Sequence, residues 1–375
     1  MIEMFKEFYD ARHEYARRWK DKSGGKVMGC FCTYVPEEIL CAANVLPVRI
    51  LGSHEPHNVT EPHIFAMFCP FCRDCLAQGL LGRYDYLDGI TIAQSCLHLR
   101  QAFTSWDLHV PVGFSYYLPM PHNVQNPQRA VPFLRGELEA FKKAVEDWTG
   151  TKITDADLDR GIEIVNGNRR AMKAVYETRK GAPPAINGLE AMYMVVSSQF
   201  IDKVEHTRIV EDCAKLLNGR VPRNANGTRL MLVGSEDDDS AFIDMVESAG
   251  ATVVVDDHCT GTRAFWEEVE PEEDRLLAIA KRYVNRTPCP TKDWPQRRRV
   301  ERILEFAREW NVAGAIVVQQ KFCDPHELDI PAARKALEGI GVKTLFLELD
   351  VTVPVGQFKV RVEAFLEMLS EEDLF

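Results

Sequence analysis

Trp310–Asp324 reads WNVAGAIVVQQKFCD, an apolar run that ends in polar residues and then a cysteine. Ala315, Ile316, Val317 and Val318 have the β-rich composition of a strand buried on both faces of a parallel sheet. Cys323 then falls just past the C-terminal edge of that strand. Open α/β sheets bind ligands and cofactors along this edge, so a thiol there is placed for chemistry. An earlier run, Gly89-Ile90-Thr91-Ile92-Ala93-Gln94, repeats the plan and delivers Cys96. Glycine and glutamine are five residues apart in both runs, Gly89 to Gln94 and Gly314 to Gln319. The spacing points to two similar halves whose cysteines face one cleft.

Outward from Cys323, residues 226–375 alternate strand and helix patterns. TRLMLVGS, ATVVVDD, AGAIVVQQ and VKTLFLELD read as strands, with helical patterns around Ala241–Ser248, Arg299–Trp310 and Ala332–Glu338. This alternation predicts a parallel α/β sheet with right-handed crossovers. The turn after its first strand, GSEDDDS, excludes a dinucleotide site, because Asp237, Asp238 and Asp239 would repel a pyrophosphate. The aspartates are expected to cap the next helix. Cys259, in DDHCTG, also follows a strand. Residues 126–225 read as a helical segment: FLRGELEAFKKAVEDW is amphipathic, and Thr154 with Asp157 has the form of a capping box.

Residues 1–125 form the first α/β unit. In GCFCTYVPEEILCAANVLPVRILG, Pro36 suits a first helical position with Glu37 and Glu38 behind it, which puts Cys30 and Cys32 just before a helix N-terminus. That location favours thiolate, the metal-binding form, while the plain alternative is that Cys30, Cys32 and Cys41 pack as small apolar side chains. CPFCRDC sets Cys69, Cys72 and Cys75 three apart, like the start of a ferredoxin run but without its fourth cysteine and proline. Leu76, Leu80 and Leu81 suggest that the trio instead opens a helix and packs one face of it. Cys30, Cys69, Cys72 and Cys75 are therefore rival ligands. His54, His57 and His63 sit in or beside a loop, where solvated histidines are the ordinary finding.

The chain has 375 residues, 46% hydrophobic and 27% charged, enough for a large core in two or three domains. A formal net charge of -11 argues against nucleic acid and anionic membrane surfaces as partners. MIEMFKEFYDARHEYARRWKDK mixes charges with aromatics, unlike a signal peptide, and no apolar run of membrane-spanning length occurs, so a cytoplasmic protein is expected. Eleven cysteines in a reducing compartment imply packing residues or metal ligands, not a disulfide framework.

GCFCTYVPEEILCAANVLPVRILG, LDGITIAQSC, VVVDDHCTGTR, GAIVVQQKFCDP and GQFKVRVEAFLEML, in this order, resemble the 2-hydroxyacyl-CoA dehydratase and benzoyl-CoA reductase family over nearly the whole chain. The length most resembles the smaller of the cluster-bearing subunits in ATP-dependent benzoyl-CoA reductase. The resemblance implies flavodoxin-like α/β domains with a helical insert and one four-iron four-sulfur cluster on Cys32, Cys96 and Cys323. Three thiolates leave one iron without a protein ligand. It further implies single-electron reduction of an aromatic acyl-CoA thioester, benzoyl-CoA, in anaerobic aromatic degradation. The alternative within the family is a 2-hydroxyacyl-CoA dehydratase subunit, and outside it a cluster-binding electron carrier with no CoA site.

Such reductions need ATP, yet the chain holds no G-x-x-x-x-G-K-S/T run. The resemblance therefore implies separate ATPase activator subunits fed by reduced ferredoxin, beside a paralogous cluster-bearing subunit. His98, two residues from Cys96, is the nearby candidate for proton delivery, with a structural role as its alternative. Arg297, Arg298 and Arg299 in QRRR are a candidate contact for CoA phosphates or, equally, a solvated helix face.

Overall fold

The computed structural model describes residues 2–372. Four short strands, β1 (Val27–Cys30), β2 (Leu46–Arg49), β3 (Gly89–Ala93) and β4 (Ser115–Leu118), form one sheet in the order β2-β1-β3-β4. Four longer strands, β5 (Thr228–Gly234), β6 (Ala251–Asp257), β7 (Gly314–Gln320) and β8 (Lys343–Leu349), form a second in the order β6-β5-β7-β8. Every pairing is parallel. This is the expected α/β class with two flavodoxin-like parallel sheets.

The two sheets have the same topology, with β3 and β7 in equivalent places. Both strands begin with the glycine of the shared spacing, so Cys96 and Cys323 follow equivalent strands. In each sheet the chain leaves the first strand in one direction and later returns on its other side, the reversal that opens a crevice at the strand C-termini.

β7 is buried along its whole length, with Ile316, Val317 and Val318 at most 1% exposed. Burying each such side chain contributes roughly 1.5–3 kcal/mol, which explains why a run with no polar alternation forms a central strand. Gly234 ends β5 at φ +142°, where a Cβ would stand 1.9 Å from Val318 O. Its missing side chain lets the end of β5 lie close against β7, where the Ser235 N–H donates to Val318 O at 3.0 Å.

Between the sheets in sequence lie the helices Pro127–Thr149, Asp155–Glu177, Gly188–Ser198 and Lys203–Ala214. Thr154 and Asp157 make the expected capping box. Gly161 presses this helix onto Glu37–Ala42, since a Cβ there would meet Glu38 O at 2.2 Å. Cys30 proves to be the last residue of β1, and Pro36 is the N-cap of Glu37–Ala42 instead of its first helical residue. The extended ψ of Pro36, 90°, keeps it outside the helix.

Candidate functional site

Among the described residues three α-helices start with a cysteine as N-cap. Cys69 caps Pro70–Leu80, Cys96 caps Leu97–His109 and Cys323 caps Asp324–Gly339. Pro70 and Pro325 stand in the first turns of their helices, where a proline's missing N–H costs nothing and its fixed φ starts the helix. A helix N-terminus presents unpaired N–H groups and a partial positive charge, which by themselves favour a thiolate at each of these positions, before burial and the neighbouring thiols act.

The three thiols meet through Cys72, one helical turn after Cys69. Cys69 has Cys323 and Cys72 as neighbours, and Cys72 also neighbours Cys96. Interaction with Cys323 and Cys72 holds the Cys69 thiol well below its ordinary pKa. Interaction with Cys72 likewise lowers Cys96. Burial and these same interactions push Cys72 up, and the interaction with Cys69 followed by burial pushes Cys323 up. Cys69 and Cys72 are buried, whereas Cys96 and Cys323 are partly open. Phe322, just before Cys323, takes φ +59° with its ring 47% exposed. A bulky residue held in the left-handed region marks a segment constrained by its surroundings.

His98 ties the three helix starts together. It lies in the first turn after Cys96, its Nδ1 accepts the Cys69 backbone N–H at 3.1 Å, and its Nε2 stands 3.7 Å from Asp324, the residue after Cys323. Nδ1 as acceptor fixes the proton of the neutral ring on Nε2. The position is that of a brace for the cysteine set.

The other sulfurs separate into different places. Cys32 lines a cavity with Cys30, Arg49 and Gln199 and takes no part in the chain of thiol contacts from Cys323 to Cys96. Cys30 donates to Met28 O and Cys75 to Ile50 O, both at 3.6 Å, and burial pushes both thiols up. Lys292 stands between the two regions, donating to Gln94 O at 2.8 Å and Pro121 O at 3.1 Å. Burial lowers its pKa to about 8 against the opposing pull of Cys32, Cys289 and Cys96. The structure thus brings together Cys96 and Cys323 of the expected trio, with the rivals Cys69 and Cys72 in place of Cys32. A sequence signal for Cys69 was available: Cys-Pro, a proline at the first helical position directly after the thiol.

The loop histidines find unrelated partners. His54 Nε2 bonds to Asp238 Oδ1 at 2.8 Å, His57 to Thr60 at 3.5 Å, and the His63 ring packs 4.3 Å from His109. Among the described residues no three His, Cys, Asp or Glu side chains already surround a point that one metal ion would take. An all-thiol set is instead suited to soft metals and iron–sulfur clusters. A cluster binds its thiolates at separate iron corners, so its ligands ring a volume and need not converge on one point. Cys69, Cys96 and Cys323, set on separate helix starts, fit that demand.

A cavity of about 200 Å³ opens beside Cys96 and is lined by Ser95, His98, His122 and Thr291. It shares Thr291, Asp324 and Pro325 with a second of about 220 Å³ that reaches Trp294 and Arg297. Arg299 is elsewhere: fully buried, it bonds Asp257 Oδ2 at 2.5 Å and also Asp329. It is not available to a phosphate. No described helix is long and apolar enough to cross a membrane.

Residues 32–369 match the family model described as 2-hydroxyglutaryl-CoA dehydratase, D-component. The chain is 27% identical over 367 residues to the (R)-phenyllactyl-CoA dehydratase beta subunit of Clostridium sporogenes, covering 97% of each chain. It is 26% identical over 323 residues to one of the benzoyl-CoA reductase subunits of Thauera aromatica, covering 84% of this chain and 83% of the relative. It is 25% identical over 380 residues to the beta subunit of (R)-2-hydroxyglutaryl-CoA dehydratase from Acidaminococcus fermentans, covering 98% and 99%.

Proposed function

The chain belongs to the 2-hydroxyglutaryl-CoA dehydratase D-component family, and we propose that it is the iron–sulfur subunit of an enzyme acting on a CoA thioester by single-electron chemistry. Cys69, Cys96 and Cys323 hold a four-iron four-sulfur cluster. The observation that carries this reading is the meeting of three N-cap cysteines in one set of thiol contacts. When bound, such a cluster supplies one electron at a time at low potential. The helix N-termini stabilise the thiolates that ligate it, and the His98 brace fixes where the Cys69 and Cys323 helices begin. Cys72 stands behind the ligands as a thiol donor.

The substrate reaches Cys96 along the two joined cavities, with the nucleotide end of CoA toward Trp294 and Arg297. The Trp294 ring, 60% exposed with the Arg297 guanidinium 4.6 Å above it, offers a stacking surface and a cation together. Phe65, Met67, Leu97 and Phe322 are exposed and flank the cysteines in sequence. They suit a paralogous subunit that covers the site and keeps water from a radical. Without a P-loop, the ATP-driven step falls to a separate activator ATPase, with ferredoxin as electron source.

Elimination of water from a 2-hydroxyacyl-CoA is the leading chemistry, favoured by the family description and by the 97% span of the phenyllactyl-CoA dehydratase relative. Reduction of benzoyl-CoA is the second reading, favoured by the benzoyl-CoA reductase relative. The native complex, purified without oxygen and supplied with ATP and a low-potential donor, is assayed on both substrates. Turnover of a 2-hydroxyacyl-CoA alone supports the first reading, turnover of benzoyl-CoA alone the second. Loss of neither substrate, with a cluster present, would leave the electron-carrier alternative standing.

A further inference from the structure

Apart from the cysteine set, Arg49, Arg169, Lys203 and Arg282 line a cavity of about 40 Å³, with Glu37 as the carboxylate of its lining. Arg49 ends β2 and is 5% exposed, yet neither its Nε nor its Nη1 has a hydrogen-bond partner. The buried Nε of Arg169 is likewise unpartnered. Two of the cations are neutralised: Arg169 by Glu38 at 2.7 Å and Lys203 by Glu37 at 3.2 Å. Arg282 spends its hydrogen bonds on the backbone oxygens of Glu267 and Ala264, at 3.1 and 3.3 Å. Among the described residues neither Arg49 nor Arg282 forms an ion pair with a carboxylate. Glu236 attracts Arg49 without touching it, both of its carboxylate oxygens being free of hydrogen bonds.

Buried guanidinium groups without a bonded counter-charge are costly, and the fold would shed them if nothing negative entered. Burial, then the neighbouring Arg169 and Arg286, lowers the Arg282 pKa to about 10, which is the signature of crowded positive charge. The Arg fork matches a carboxylate, which accepts two parallel N–H bonds. The remaining wall is mixed: Val165 and Phe265 form an apolar stretch, while Thr33, Asn168, Ser198 and Gln199 are polar. The apolar stretch gives a carbon group a place that no oxygen of an inorganic phosphate would fill. The volume is that of a few water-sized groups, enough for a two-carbon acid and too small for a nucleotide.

We propose that this cavity binds a small organic carboxylate, its head on Arg49 and its carbons against Val165 and Phe265. The site is independent of the CoA thioester reading and needs no cluster, so either can fail without the other. The test is titration calorimetry of the purified full chain with acetate and, separately, with inorganic phosphate. Acetate is expected to bind once per chain, at least tenfold more weakly in Arg49→Met, and unchanged in the exposed Arg129→Met. Ala264→Leu fills the cavity without removing charge and is expected to abolish binding, which covers the case of an unfolded Arg49 variant. No saturable acetate binding, binding indifferent to both cavity variants, or phosphate bound as tightly as acetate would each overturn the proposal.

Discussion

Arg299→Met is the substitution that separates a structural arginine from a phosphate contact. The guanidinium is 0% exposed, bonded to Asp257 Oδ2 at 2.5 Å and to Asp329, which are themselves 0% and 4% exposed. Removing it strands two buried carboxylates, and breaking such a pair costs about 3–5 kcal/mol. For a domain of this size that lowers Tm on the order of 10 °C. The assay is thermal and urea unfolding followed by circular dichroism, beside Arg298→Met, whose partly open side chain should cost under about 1 kcal/mol. Adding Asp257→Asn and Asp329→Asn to Arg299→Met should recover part of the loss, because the stranded charges go with it. Recovery stays incomplete, since Arg263 also leans on Asp257 at 3.5 Å. A loss below about 1 kcal/mol in Arg299→Met, with weaker acyl-CoA binding instead, would refute this assignment.

Gly234→Ala should cost more than about 3 kcal/mol or prevent folding, because its Cβ would lie 1.9 Å from a backbone oxygen that cannot yield; expression and unfolding curves check this. Phe322→Asn should raise stability by about 1 kcal/mol, as asparagine tolerates φ +59° and the lost ring is half exposed; a lower Tm would contradict the strain. Stability should fall as pH rises from neutral to about 9.5. Burial opposes protonation of His54, but Asp238 outweighs it and lifts its pKa to about 10, so the pair's contribution is complete below the unfolded value near 6.5 and fades toward 10. Asp237, pushed up to about 8 by burial and Asp239, is stabilised in its protonated form and adds a loss between its unfolded value near 4 and 8. Melting curves across this range should flatten at the alkaline end in His54→Asn.

The strands of the second sheet were legible because each is a short, dense apolar run bounded by glycine or charge, and all four begin and end close to where the sequence pattern sets them. The Gly-to-Gln spacing also carried real information, since β3 and β7 are equivalent strands of two sheets with one topology. Helices Arg275–Asn285 and Val355–Glu372 lie outside the helical patterns read from the sequence, although RLLAIAKRYVN is plainly amphipathic. The acidic run divides: Asp239 caps Ser240–Ser248 as expected, while Asp238 turns inward to His54, a partner 184 residues away. Cys96 and Cys323 followed from their strands. Cys69 did not, because its place beside Cys323 is set by tertiary packing, and a thiol before a helix describes Cys32 and Cys69 alike until the proline beside Cys69 is weighed.

The most direct measurement is anaerobic reconstitution with iron and sulfide, read by visible absorption and electron paramagnetic resonance, on single serine variants of Cys32, Cys69, Cys96 and Cys323. The predicted result is loss of the cluster signal in Cys69→Ser, Cys96→Ser and Cys323→Ser, with the signal kept in Cys32→Ser. A full signal in Cys69→Ser together with its loss in Cys32→Ser would contradict the ligand set and return the first position to Cys32.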